Sequence, residues 1–118
     1  MVLHVVRDLL FVAKIRDAAA SLGVAVEGLR DVERLPAAAR GARLVILDLG
    51  LPQALRALEL LAAHPDTADV PTVGFVGHER TEVMETARAL GCRTILAKGE
   101  FATKLPALLR PLVAGPAD

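Results

Sequence analysis

Five short apolar runs rich in β-branched residues recur along the 118-residue chain, and the stretches between them carry helical rather than strand spacing. This alternation constrains the fold more than any other feature. A strand followed by a helix and another strand returns parallel to the first, through a right-handed crossover. Repeated five times, the pattern predicts a (βα)5, doubly wound α/β domain whose five-stranded parallel sheet is covered on both faces. The length fits one such domain over residues 1–118.

The runs are readable one by one. Val2 to Val6 is the first strand, and Val12, Ile15, Ala19 and Leu22 then mark one face of a helix, with Gly23 at its left-handed cap. Val24 to Val26 is a weak second strand, followed by room for a short helix around Pro36 to Gly41. Leu44 to Leu47 is apolar throughout, as a central parallel strand should be, and ends at Asp48. Pro52 opens a helix carrying Leu55, Leu58 and Ala62. Thr72 to Val76 is the fourth strand. Thr81 is the expected N-cap of a helix burying Val83, Ala87 and Leu90. Thr94 to Ala97 is the fifth strand. The last helix places Pro106 in its first turn and ends near Pro111, leaving residues 115–118 as a tail or the stub of a linker.

Composition removes several function classes. Fourteen basic and fourteen acidic residues cancel, and only 3% of the chain is aromatic. There is thus neither the positive field nor the stacking platform that general nucleic-acid binding requires. The single cysteine, Cys92, precludes an internal disulfide or a multi-thiolate zinc site and is expected to be an inert core residue. His4, His64 and His78 lack ligand spacing. No apolar stretch approaches the length of a bilayer span, and charges at Arg7, Asp8 and Lys14 interrupt any signal-peptide core. A cytoplasmic protein without membrane partners is expected.

Parallel sheets work at the carboxyl ends of their strands. There the sequence brings Arg7 and Asp8 after the first strand, Asp48 after the third, Val76 and Gly77 after the fourth, and Lys98 after the fifth. Two carboxylates and a lysine converging on one edge can hold Mg²⁺ and carry a phosphoryl group on one of the carboxylates. Nothing resembles a nucleophile–base pair. The loop after the first strand also has no glycine with which to cradle phosphate on backbone amides, which argues against a nucleotide-binding or enzymatic domain.

The stretch Asp48-Leu49-Gly50-Leu51-Pro52 resembles the D-x-x-x-P segment of bacterial response-regulator receiver domains. Val5 to Asp8 resembles the family's acidic strand end, Pro71 to Gly77 its fourth strand and Ala97-Lys98-Gly99 its lysine corner. The resemblance implies a flavodoxin-like sheet of order 2-1-3-4-5 and a signalling role in a two-component phosphorelay rather than catalysis. It further implies Asp48 as phosphoacceptor, Lys98 as phosphate contact, and Asp8, Asp48 and the Gly50 carbonyl as Mg²⁺ ligands. Its partners would be a histidine kinase, a phosphotransfer protein or a downstream effector. The face of the fourth helix, fifth strand and fifth helix, with Arg88, Arg93, Lys104 and Arg110, would serve contact or homodimerisation.

The departures weigh equally. Arg7 stands where the family has an acid, Val76 where it has a hydroxyl, Ile95 where it has an aromatic and Gly99 where it has a proline. A positive charge about 6 Å from a divalent ion costs about 5 kcal/mol at an effective dielectric near 20. Either Arg7 weakens a Mg²⁺ site, or its guanidinium bridges Asp8 and Asp48 in the ion's place. The second arrangement predicts a pseudo-receiver that works through protein contacts with weak or no phosphorylation. The alternative is a functional single-domain response regulator phosphorylated on Asp48.

Overall fold

The computed structural model describes residues 1–113; the tail expected over residues 115–118 lies outside them. Five parallel strands form one sheet in the order β2-β1-β3-β4-β5, with β1 Val2–Val5, β2 Val26–Gly28, β3 Leu44–Asp48, β4 Thr72–Val76 and β5 Thr94–Ala97. The helices are α1 Leu9–Leu22, α2 Leu35–Ala38, α3 Ala54–Ala63, α4 Thr81–Ala89 and α5 Lys98–Leu109. The fold class and strand order read from the sequence are those observed.

The sheet divides the core in two. On one face, Phe11, Ile15 and Ala19 of α1 and Phe101, Leu105 and Leu109 of α5 pack on Val2, Ile46, Val73 and Phe75. All three aromatic residues meet here, with ring centroids 4.4 Å apart for Phe75 and Phe101 and 5.0 Å for Phe11 and Phe75. On the other face, Leu35 of α2, Ala54, Leu58 and Leu61 of α3 and Ala87 of α4 cover Leu3, Val45 and Leu47. Because both faces are covered, β1, β3 and β4 are buried at every position rather than at alternate ones.

Several boundaries differ from the sequence reading, four of them for a clear local reason. β2 runs over Val26–Gly28, two residues late, because Gly23 and Val24 are spent closing α1, with both amides bonded back to its last turn. Pro52 does not open α3. It sits inside a turn in which the Ala54 amide donates to the Leu51 carbonyl, and the helix starts at Ala54. Arg80, not Thr81, precedes α4, without a side-chain cap bond. Finally, α5 begins at Lys98 directly after β5, so Pro106 lies in its interior. The four-residue spacing of Phe101, Leu105 and Leu109 buries one stripe, and that burial outweighs the lost amide donor at Pro106.

Candidate functional site

Asp48 is the last residue of β3 and only 7% exposed. Its Oδ1 accepts a hydrogen bond from the Gly50 amide at 3.0 Å, an Asx-type turn that fixes the carboxylate as the chain leaves the strand. The next residue, Leu49, tucks against β4 where Gly74 has no side chain; a Cβ there would come within 2.6 Å of Leu49 Cδ1. The absence of that one carbon lets the chain turn closely over the sheet edge and sets where Asp48 points.

Asp48 opens into a shallow recess of about 390 Å³, lined also by Gly50, Val76, Gly77, Glu79, Arg80 and Lys98. Lys98, expected beside Asp48, lines the same recess but forms no ion pair with it. Its Nζ lies over the Phe11 ring, 5.8 Å from the centroid, a cation–π arrangement. Arg80 is a second cation here that sequence reasoning missed. Glu79, Arg80, Glu82 and Glu85 read together as an ordinary charged helix face, and only the turn before α4 brings Arg80 to the Asp48 recess.

Asp8 behaves differently from expectation. It does not line the Asp48 recess. Its Oδ1 accepts from the amides of Leu10 at 2.9 Å and Phe11 at 3.4 Å, so the side chain caps α1. The β1–β3 register sets what lies beside Asp48 within the sheet. Val5 pairs with Leu47, and one more step sets Val6, not Asp8, alongside Asp48. Val6 is buried in the aromatic face of the core.

The guanidinium bridge expected of Arg7 is not formed either. Arg7 is exposed, pairs with neither Asp8 nor Asp48, and lines a different recess between α1 and β2.

A Mg²⁺ ion needs several hard oxygen ligands around one point. Among the described residues no three His, Cys, Asp or Glu side chains converge on a common point. The Asp48 recess instead combines two carboxylates, Asp48 and Glu79, with two cations, Arg80 and Lys98. Asp8 spends Oδ1 on the α1 amides and Asp48 spends Oδ1 on the Gly50 amide, so a metal held by the expected set would draw on the remaining carboxylate oxygens of Asp8 and Asp48 and on the Gly50 carbonyl.

Cys92 is buried, and burial pushes its thiol pKa up, which disfavours the reactive thiolate. Among the described residues no helix is long and apolar enough to cross a membrane.

No protein-family model matches the chain, and no curated protein does. Its fold, by contrast, is that of response-regulator receiver domains. The receiver domain of the sensor histidine kinase PA1611 from Pseudomonas aeruginosa, solved with a magnesium ion coordinated in its active-site cleft, superposes with a TM-score of 0.76 at 20% identity, over 97% of each chain. The phosphorylated cyanobacterial phytochrome response regulator RcpA gives 0.73 at 18% identity, over 94% of this chain and 89% of its own. The Mn²⁺-bound response regulator Rcp1 gives 0.74 at 16% identity, over 98% and 96%.

Proposed function

We propose that this chain is a receiver-type signalling domain of a two-component system that acts through protein–protein contacts, with weak or no phosphorylation at Asp48. The fold likeness to receivers supports the signalling role. The observation that carries the rest is the register at the sheet edge: the position alongside Asp48 holds the apolar, buried Val6, while Asp8 is engaged as a helix cap. A second carboxylate to hold a charge-neutralising cation at Asp48 would have to come from Asp8, whose Oδ1 is already committed to the α1 amides. Val76 at the end of β4 likewise offers no hydroxyl to sense a phosphate. A ligand that binds two conformations alike cannot shift the balance between them.

Output is expected through the surface of α4, β5 and α5, where Arg88, Arg93 and Arg110 are exposed and Lys104 is held by Glu100 at 3.0 Å. The occupant would be a kinase, a phosphotransfer protein, an effector or a second copy of the chain. The second reading, a working phosphoacceptor, draws on one observation. Arg80 and Lys98 both line the Asp48 recess, as groups meeting phosphoryl oxygens would.

Intact-mass spectra after incubation with a small phosphodonor and Mg²⁺, run beside Asp48→Ala, separate the two. Under the proposed reading neither protein gains a phosphoryl mass. A stoichiometric gain in the wild type that Asp48→Ala lacks makes Asp48 a live phosphoacceptor and overturns it.

A further inference from the structure

A second recess is larger than the one at Asp48. Between α1 and the ends of β1 and β2 lies an open wedge of about 560 Å³, lined by His4, Val5, Val6, Arg7, Leu9, Val12, Arg16, Gly28, Leu29 and Arg30. It exists because β2 is a three-residue edge strand ending at Gly28, which leaves the outer flank of α1 uncovered.

Its polar side chains have no partner within the described residues. Arg7, Arg16 and Arg30 come from three separate segments, and none forms an ion pair or side-chain hydrogen bond within the described residues. No carboxylate lines the wedge. Two of the nearest acids in sequence are turned away, Asp8 onto the amides of α1 and Asp31 onto the Glu33 amide.

At the floor sits His4, 4% exposed, with neither ring nitrogen hydrogen-bonded. Gly28 makes room for it, since a Cβ there would stand 2.8 Å from the imidazole Cε1. Leu9, 82% exposed, forms an apolar lip. The buried, unpartnered ring is a costly feature unless something completes it, and the three exposed guanidiniums gather positive charge around it with no carboxylate to answer it.

We propose that this wedge binds a small phosphorylated molecule with an apolar or ring portion, of the size of a mononucleotide. Guanidinium forks match phosphate oxygens in two-point contacts, so arginine side chains do here what glycine-rich backbone loops do elsewhere. Val12, Leu29 and the Leu9 lip provide the apolar wall. The volume lies within the ordinary range for small-ligand pockets. The proposal does not depend on the state of Asp48, which lies in the other recess.

The test is calorimetric titration of the full chain with a nucleoside 5′-diphosphate and with inorganic pyrophosphate at physiological salt, with amide spectra recorded alongside. The nucleoside diphosphate is expected to bind at least about ten-fold more tightly than pyrophosphate, as an apolar wall requires. Arg16→Ala and Arg30→Ala, both at exposed positions, should each weaken it by about ten-fold or more. Arg43→Ala, at the opposite edge of the sheet where Arg43 bonds the Leu112 carbonyl, should leave it unchanged. Amides of Gly28 to Arg30 should shift while those of Gly50 and Gly77 stay put. The proposal fails if neither probe binds, if Arg43→Ala weakens binding equally, if the shifts fall on Gly50 and Gly77, or if only an acidic peptide binds.

Discussion

The two recesses along the carboxyl edge of the sheet answer the same physical problem in opposite ways. At the Asp48 recess the chain meets much of its own polar demand. Gly50 donates to the carboxylate, acids and bases are equal in number, and Lys98 lies over Phe11. In the α1–β2 wedge it does not: a buried histidine has no partner, and three exposed arginines have no carboxylate beside them. A site that satisfies itself holds its shape but has little left to offer a ligand. The unsatisfied site is less comfortable alone and better placed to bind.

Substitution at His4 should separate the two recesses most sharply. If its unpartnered ring is a cost to the folded state, His4→Leu will raise unfolding free energy by about 1–3 kcal/mol in denaturant titrations. A loss of stability would mean that the wedge is completed by something, water included, that the leucine cannot replace. The pH dependence gives a second readout of the same group. Burial lowers the His4 pKa, with the positive charge of Arg16 adding to the effect. The unfolded chain therefore takes up the proton more readily, and the part of stability linked to His4 is present above about pH 6.5 and lost as pH falls below it. In His4→Leu that part of the slope should vanish.

Asp8 gives the next largest effect. As a cap of α1 it contributes stability that has nothing to do with metal, so Asp8→Ala should cost about 1 kcal/mol, equally with and without Mg²⁺. A cost that grows when Mg²⁺ is added would return Asp8 to the Asp48 recess as a ligand and erase the contrast drawn here.

Much of this architecture is legible in the sequence, because burial on both faces leaves the central strands mostly apolar. Leu44 to Asp48 and Thr72 to Val76 are found where the sequence puts them. Asp48 and Lys98 are legible for the same reason, as the residues on which two clear strands end. Asp8 is not. Its cap bonds depend on where β1 ends and α1 begins, and Val2 to Val6 carries no turn signal to mark that end. The boundary at α5 was hidden by Gly99, which reads as a loop but lies within the helix because Phe101, Leu105 and Leu109 bury so well. The wedge had no sequence signal at all. Arg7, Arg16 and Arg30 share no motif and are united only by the short edge strand beside them.

The most direct test of the account is a Mg²⁺ titration of the wild type and Val6→Asp side by side, followed by thermal unfolding. If the apolar residue alongside Asp48 is what keeps metal out, Mg²⁺ will leave the wild-type Tm unmoved. The same titration will raise that of Val6→Asp by about 4 °C or more at ten-fold excess over its Kd. An equal rise in the wild type would show that Asp48 already holds the ion without a carboxylate at position 6, and would contradict the reading of this recess as closed to phosphoryl chemistry.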